Sequence, residues 1–252
     1  MASFFRHRAT NDTSKPDHGE SSMNVTNILF DLDGTLTDPK EGITRSIQFS
    51  LDQLGAPAQG TEELTWCIGP PLRDSFARLL NTSDDDLLDQ ALLHYRARYS
   101  VTGMFENILY DEVSSSLGKI REAGFGVFLA TSKPKVFATR ILEHFGLTKF
   151  FHGIHGSELD GRLTDKGELI AHLLQVENLH PGLTLIVGDR KFDILGGKKN
   201  GIKTAAVTYG YGSRDEITDS GPDAIFESFP EIAAFLQAAA GNNSSFSADR
   251  AG

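Results

Sequence analysis

The chain has 252 residues and a formal net charge of −10, with 39% hydrophobic and 23% charged residues. This length and composition allow a sizeable buried core and are typical of one large globular domain, or of a core with a smaller inserted domain. The acidic balance excludes a broad nucleic-acid surface, because binding to a phosphate backbone depends on clustered Lys and Arg. No stretch is long and apolar enough to predict a membrane span, so we expect no membrane partner.

Residues 1–22 are polar and of mixed charge, and they lack the apolar region of a secretory signal. We expect a disordered N-terminal arm there, with Met23 as an alternative start directly before the first predicted strand. Residues 241–252 are rich in Gly, Asn and Ser, and we expect a disordered tail. The single cysteine, Cys67, excludes an intramolecular disulfide and fits a reducing compartment, so we expect a cytoplasmic protein.

An apolar run at residues 25–30 predicts the first buried strand of a parallel sheet, and two acids follow it in the sequence DLDGTLTD at 31–38. Strand geometry would place Asp31 and Asp33 on one face, where their like charges repel. A magnesium ion with oxygen ligands would make the pair tolerable and would attract a phosphate. One acid could then attack as a nucleophile while the other moves protons. The alternative is an ordinary strand-to-turn ending, since Asp and Gly favour turns.

Residues 39–109 show helical spacing of apolar residues and no strand signal, which predicts an inserted all-helical cap domain. Turns containing Gly and Pro break this segment near residues 55–57 and 68–71. The second turn leads into a helix that carries Arg73. This arginine could grip a carboxylate or a second phosphate of the substrate with both edges of its guanidinium, or it could be a surface arginine.

Helices and strands alternate from residue 110 to residue 240. This order predicts βαβ units and a parallel sheet covered by helices on both faces. We therefore predict an α/β fold with a Rossmann-like core formed by residues 23–38 and 110–240. The predicted helices span 113–122, 136–145, 166–177 and 194–200, and the predicted strands span 125–130, 151–155, 183–187 and 203–207.

Polar residues follow two of these strands, and a lysine opens one of the helices. Thr131 and Ser132 precede a helix that has Pro134 in its first turn, so they suit an anion site, a helix N-cap, or both. Lys166 stands at a helix start, where the dipole disfavours a cation, so it requires a nearby carboxylate or phosphate. We expect Lys133, the competing lysine, at the rim of the site.

Two further acids, Asp189 and Asp193, lie four residues apart after the strand at 183–187. This spacing after a glycine suits a metal site. The alternative for Asp193 is an acid in the first turn of a helix, where it complements the dipole.

Four sequence motifs in this order resemble those of the haloacid dehalogenase-like phosphohydrolases, within the phosphoglycolate phosphatase branch. They are DLDGTLTD at 31–38, ATSKP at 130–134, Lys166, and VGDRKFD at 187–193. The resemblance extends over about residues 24–237. It implies the Rossmann-like fold and places the family's cap at residues 39–109.

The resemblance also implies roles for individual residues. Asp31 would be the nucleophile, Asp33 the general acid and base, and Lys166 the partner of the nucleophile and the phosphoryl oxygens. Thr131 would bind phosphate, with Ser132 a weaker candidate. The implied Mg²⁺ ligands are Asp31, the main-chain carbonyl of Asp33, and Asp189, while Asp193 would orient Lys166 and metal-bound water. Two positions depart from the family's common pattern, Gly167 in place of Pro and Arg190 in place of Ser or Thr.

This family would make the chain a Mg²⁺-dependent phosphatase that forms an aspartyl-phosphate and acts on a small phosphorylated metabolite, as a monomer or homodimer. The first expected substrate is 2-phosphoglycolate. A 5'-nucleotidase is the nearest alternative, because residues 156–161 and 165–167 look like relatives with that label. A sugar phosphomutase stays open, whereas a dehalogenase is disfavoured because it needs neither Asp33 nor magnesium. A non-catalytic binding module is the remaining alternative, although every catalytic position is filled.

Overall fold

The computed structural model describes residues 23–57 and 59–248. The predicted N-terminal arm and the last four residues of the predicted tail therefore lie outside the described residues. Within them, no helix is both long enough and apolar enough to cross a membrane.

The elements follow one another along the chain as an early strand, a run of helices, and then alternating strands and helices. They are β1 (Asn27–Phe30), β2 (Thr37–Asp38), α1 (Lys40–Gln53), α2 (Leu72–Leu79), α3 (Asp85–Tyr99), β3 (Ile108–Leu109), α4 (Val113–Glu122), β4 (Gly126–Pro134), α5 (Lys135–His144), β5 (Gly153–Ser157), α6 (Lys166–Val176), β6 (Thr184–Gly188), α7 (Lys191–Lys199), β7 (Lys203–Val207), α8 (Arg214–Ser220), β8 (Ala224–Phe226) and α9 (Phe229–Ala248). Short 3₁₀ helices lie at Glu62–Cys67, Gly103–Phe105, Thr148–Phe150 and Pro181–Leu183.

Six strands form one parallel sheet in the order β5-β4-β1-β6-β7-β8, which confirms the predicted α/β fold. Strand β1 is central, and Phe30 pairs with Leu129 on one side and with Val187 on the other. The chain runs outward from β1 in one direction through β4 and β5, and in the other through β6 to β8. Ligands of open α/β sheets bind where the strand order reverses in this way, at the carboxyl ends of the strands.

Helices cover both faces of the sheet because successive residues of the central strand point to opposite sides. Ile28 and Phe30 belong to the larger apolar cluster, in which the Phe30 ring lies 5.3 Å from the ring of Phe229 on α9. Leu29 belongs to a second cluster with Ile170 of α6. Burial on both faces explains why this strand has a continuous apolar sequence.

Residues 40–105, here called the helical insertion, contain α1 to α3 between β2 and β3. The absence of strands predicted for residues 39–109 is wrong at the end of this range, because Thr37 pairs with Leu109 and Asp38 with Ile108 in an antiparallel ladder. Each of these strands has two residues, too few to show an alternating pattern. The ladder therefore brings together the two segments that enter and leave the helical insertion.

Helix α9 differs from the expectation of a disordered tail from residue 241, since it continues to Ala248. The apolar, alanine-containing segment before residue 241 propagates a helix well, and the helix carries on through the polar residues that follow.

Candidate active site

The acid-bearing loop after β1 begins where the strand ends. The backbone N–H of Asp31 still donates to the carbonyl of Val187 at 3.0 Å, and the chain then turns through Gly34, which has a φ of +79°. A Cβ atom at Gly34 would lie 2.1 Å from Asp189 Oδ2. Glycine is therefore required both by the backbone conformation and by the close approach of the loop after β6.

Lys166, the first residue of α6, lies between two of the predicted site acids. Its Nζ is 3.0 Å from Asp31 Oδ1 and 2.8 Å from Asp193 Oδ1, and it donates to the carbonyl of Ala130 at 2.9 Å. The side chain is only 4% exposed. Burial alone would lower the pKa of this ammonium, but the charges of Asp193 and Asp31 outweigh burial and raise it above its usual range. The lysine therefore stays charged in a dry site, as its place at a helix start predicted.

Three buried carboxylates converge at this edge of the sheet. Ligand oxygens of Asp31, Asp189 and Asp193 all lie within 4.8 Å of one another. Burial, followed by the charges of Asp193 and Asp31, raises the pKa of Asp189 well above its ordinary value. Burial raises the pKa of Asp193 to about 6, against the opposing effect of Lys166. Burial is the largest cause of both shifts, and the charge of Asp31 adds to it in each case.

A divalent cation fits this cluster. Asp189 Oδ2 accepts a hydrogen bond from the N–H of Tyr211 at 2.7 Å, but its Oδ1 is buried without a hydrogen-bond partner among the described residues. A buried carboxylate oxygen without a donor is costly unless a cation satisfies it. Carboxylate oxygens are also the ligands that Mg²⁺ prefers. The cluster thus includes Asp31 and Asp189, both predicted ligands, together with the carboxylate of Asp193.

The side chain of Asp33 lies apart from this cluster and has its own cation. Lys133 Nζ is 2.6 Å from Asp33 Oδ2, and Oδ1 is buried without a hydrogen-bond partner among the described residues. Burial raises the pKa of Asp33, while Lys133 acts in the opposite direction. The two acids of the loop therefore do not share one face of a strand, because β1 ends at Phe30, before either of them.

Lys133 is more deeply placed than a rim residue. It is 9% exposed, and β4 extends to Pro134, although its pairing with β5 shifts register between Thr131 and Pro134. The prediction of Lys133 at the rim placed the end of this strand too early. Strand periodicity gives no signal for Lys133, because the strand is irregular between Thr131 and Pro134.

Thr131 and Ser132 both line the cleft. The hydroxyl of Thr131 accepts from the N–H of Lys133 at 3.2 Å, and the hydroxyl of Ser132 donates to the carbonyl of Thr164 at 3.1 Å. The N-cap alternative for this pair is wrong, because α5 begins at Lys135 after Pro134 and has no side-chain cap.

Arg73 lies at the start of α2 and lines the cleft, but its guanidinium is already paired within the helical insertion. It contacts Asp85 Oδ1 at 2.6 Å and also binds Asp89. Both acids belong to α3, so its predicted contact with a substrate anion would compete with two carboxylates.

Arg190 connects the loop after β6 to the helical insertion, a contact that the sequence did not indicate. Its Nε donates to Glu216 Oε1 at 2.9 Å, and its Nη1 donates to the carbonyl of Ile68. Gly69, with a φ of +104°, lets the guanidinium lie against the turn at residues 68–71.

A cleft of about 510 Å³ lies between the core and the helical insertion and contains both acids of the loop after β1. Its lining includes both apolar side chains and acids. The apolar lining includes Leu72, Leu92, Tyr95, Tyr99 and Phe137, and the acids besides Asp31 and Asp33 are Asp89, Glu158 and Asp160.

Comparison with known proteins identifies the family of the chain. The model of the family described as "Haloacid dehalogenase-like hydrolase" matches residues 28–207. A protein of Pseudomonas aeruginosa named 5'-nucleotidase is 46% identical over 198 residues, which cover 79% of this chain and 89% of that protein. A phosphoglycolate phosphatase of Aliivibrio fischeri is 29% identical over 219 residues, which cover 84% of this chain and 96% of that protein.

Among solved structures, a predicted phosphatase from Clostridium acetobutylicum superposes with a TM-score of 0.80 at 39% identity, covering 83% of this chain and 97% of that one. The predictions of an enzyme and of the family are confirmed. The chain belongs to the haloacid dehalogenase-like hydrolase family.

Proposed function

We propose that the chain is a Mg²⁺-dependent phosphomonoesterase that works through a phosphorylated Asp31. The observation that carries this proposal is the position of Asp31: it lies on the cleft, 3.0 Å from the Lys166 ammonium, and within reach of the carboxylates of Asp189 and Asp193. A carboxylate next to a buried cation and a metal-binding cluster is suited to attack an anionic phosphate.

The proposed reaction has two steps. In the first, a carboxylate oxygen of Asp31 forms a bond to phosphorus, the ester P–O bond breaks, and Asp33 gives its proton to the leaving oxygen. In the second, Asp33 takes a proton from water, the water oxygen bonds to phosphorus, the bond to Asp31 breaks, and inorganic phosphate leaves. Lys166 and Thr131 would bind the phosphoryl oxygens, whose negative charge grows in the transition state.

Asp31 and Asp189 are the carboxylates proposed to hold Mg²⁺, together with the main-chain carbonyl of Asp33. A bound Mg²⁺ would neutralise phosphate charge and orient the group for in-line attack. Asp193 would act mainly on Lys166, because its Oδ1 lies 2.8 Å from the ammonium, although its carboxylate also belongs to the cluster.

The cleft favours a nucleoside 5'-monophosphate as the first substrate to test, ahead of 2-phosphoglycolate. Its volume of about 510 Å³ and its aromatic lining suit a leaving group that contains rings. The carboxylate of phosphoglycolate would need a cation, but Arg73 already binds two aspartates, and Arg96 donates to the carbonyl of Leu159. The relative named 5'-nucleotidase supports this order, and the phosphoglycolate phosphatases among the relatives keep the second substrate in the panel.

Residues 39–109 are proposed to act as a cap domain over this cleft, on a core formed by 23–38 and 110–240. The short ladder of β2 and β3 joins both ends of the insertion to the core, which suits a hinge. Closure would exclude bulk water and select the leaving group.

Phosphate release from a panel of nucleoside monophosphates, 2-phosphoglycolate and sugar phosphates tests the proposal. We expect activity with Mg²⁺ and its loss after chelation. Asp31→Asn should reduce turnover by at least about a thousandfold, because it removes the attacking group. Asp52→Asn, at an exposed position on α1, is the matched control and should keep full activity.

Three results would contradict the proposal. Retained activity in Asp31→Asn would show that another group attacks phosphorus. Isomerised sugar phosphate without free phosphate would identify a phosphomutase. An inert wild-type protein across the whole panel with Mg²⁺ present would favour a non-catalytic module.

A further inference from the structure

Lys133 bridges the core and the helical insertion through two short contacts. Its Nζ is 2.6 Å from Asp33 Oδ2 and donates to the hydroxyl of Tyr99 at 2.6 Å. Asp33 lies in the loop after β1, Lys133 lies near the end of β4, and Tyr99 is the last residue of α3. The Lys133 ammonium therefore connects Asp33 of the core to Tyr99 of the helical insertion.

Aromatic packing fixes the tyrosine at this contact. The Tyr99 ring stacks on Tyr95 with centroids 5.1 Å apart and meets Phe137 of α5 edge-on at 5.5 Å. The Lys133 Nζ also lies 4.7 Å from the centre of the Tyr99 ring. Tyr99 is 1% exposed. Because these rings are buried, the hydroxyl has a defined position and the lysine loses little freedom when it binds both partners.

We propose that Lys133 is a positioning residue for the acid–base group Asp33, and that Tyr99 makes this positioning depend on the placement of the insertion over the cleft. The inference rests on the proposed function, because it assumes that Asp33 moves the proton. It gives Lys133 a role other than binding the transferred phosphate, which the proposed function assigns to Lys166 and Thr131.

The two oxygens of the Asp33 carboxylate have different surroundings. Oδ2 is held by Lys133, while Oδ1 is buried, has no hydrogen-bond partner among the described residues, and belongs to a residue that lines the cleft. Proton transfer to the leaving oxygen then falls to Oδ1. Without Lys133 the carboxylate could rotate, and the two oxygens would no longer be distinguished.

Leaving-group dependence separates positioning of the acid from binding of phosphate. The measured quantity is kcat/KM, which reports steps up to expulsion of the leaving group, for a nucleoside 5'-monophosphate and for p-nitrophenyl phosphate. An alkoxide needs a proton to leave, whereas p-nitrophenolate does not. Lys133→Met should therefore reduce kcat/KM at least about tenfold more for the nucleotide than for p-nitrophenyl phosphate. Lys135→Met, two residues on at an exposed position, should leave both values unchanged.

A second variant, Tyr99→Phe, keeps the test decisive if Lys133→Met folds poorly. Tyr99→Phe keeps the stacked ring and removes one hydrogen bond, so we expect a loss of about two- to tenfold with the nucleotide and little loss with p-nitrophenyl phosphate. In an Asp33→Asn background, Lys133→Met should cause almost no additional loss, because the group that it positions is already gone.

Equal losses with both esters, or additive losses in the double variant, would overturn the inference and would assign Lys133 to phosphate binding or to structure. Failure of the proposed function is a separate result, since it requires wild-type protein that releases phosphate from neither ester.

Discussion

Lys166→Met provides the most direct test of the buried charge arrangement. Methionine has a similar length and keeps the apolar stem packed, so the substitution removes the charge with little change in volume. Lys166 is the cation that contacts Asp31 and Asp193, whose carboxylates lie in one cluster with Asp189. In the absence of Mg²⁺, the variant leaves this cluster without the ammonium that balances it.

The expected loss of stability follows from the distances. At separations of 2.8 Å and 3.0 Å, each ion pair has a gross attraction of about 6 kcal/mol at an effective dielectric constant near 20. The cost of burying the ammonium offsets much of this attraction. Removal of one partner from a buried pair costs about 3–5 kcal/mol, because it leaves an uncompensated buried charge. For a chain of this size, that corresponds to a decrease of roughly 1–2 M in the urea midpoint.

Urea unfolding in the presence of a chelator measures the effect, with Lys199→Met as the matched control. The Lys199 side chain is 68% exposed and lies 3.8 Å from Asp165, so its removal should cost less than about 1 kcal/mol. Adding Asp193→Asn to Lys166→Met should recover part of the loss, since it removes one of the like charges. Added Mg²⁺ should also recover part of it.

The effect should depend on pH in a defined direction. Burial raises the pKa of Asp193 to about 6, so the folded protein binds a proton at this site more readily than the unfolded chain does. Protonation of Asp193 as the pH falls removes one buried negative charge. It begins at a higher pH in Lys166→Met, because the ammonium that lowers this pKa is gone, so the difference between the variant and wild type should become smaller as the pH falls. Equal urea midpoints for Lys166→Met and Lys199→Met without metal would show that the Lys166 ammonium does not stabilise the buried acids.

Substitutions at Gly34, Arg190 and His155 test other parts of the structure. Gly34→Ala should lower both the free energy of unfolding and the affinity for metal. Gly55→Ala is its control, because Gly55 has a φ of +66° and open space around it, and it should lower the free energy of unfolding by only about 1–2 kcal/mol. Arg190→Lys should lose about 2 kcal/mol in urea unfolding, because a lysine cannot span the same acceptors, and wild-type stability would argue against this contact. Burial lowers the pKa of His155, against the effect of Glu177, so its contribution to stability should be full above about pH 6.5 and lost as the pH falls below that value. Unfolding of wild type and His155→Gln across this range measures the difference.

The order of elements and the positions of the motif residues could be predicted because both depend on local sequence. A buried parallel strand has a continuous apolar run, and the polar residue that follows it marks the carboxyl edge of the sheet. This pattern predicted Asp31 after β1 and Asp189 after β6, and carboxylate oxygens of the two residues lie within 4.8 Å of each other in the structure. The cation at the start of α6 was predictable for a related reason, since Lys166 is unfavourable there without acidic partners.

Contacts across long stretches of chain could not be predicted in this way. Lys133 and Tyr99 are 34 residues apart, and Arg190 and Ile68 are 122 residues apart. Their pairing depends on how the helical insertion lies over the core, which no local spacing encodes. The ladder of β2 and β3 was missed for a different reason, because its stability comes from closing the insertion and not from a strand pattern of its own.

The two acids of the loop after β1 show how one turn can give neighbouring residues different chemistry. If β1 had continued through Asp33, both carboxylates would have faced one cation on one side of the sheet. The chain instead leaves the strand at Phe30 and turns at Gly34, so Asp31 contacts Lys166 within the acid cluster, while Asp33 contacts Lys133 under the insertion. Burial raises the pKa of Asp33, which favours a group that can hold and return a proton. The proposed nucleophile and the proposed acid–base group are therefore distinguished by their partners, although both are aspartates separated by a single leucine.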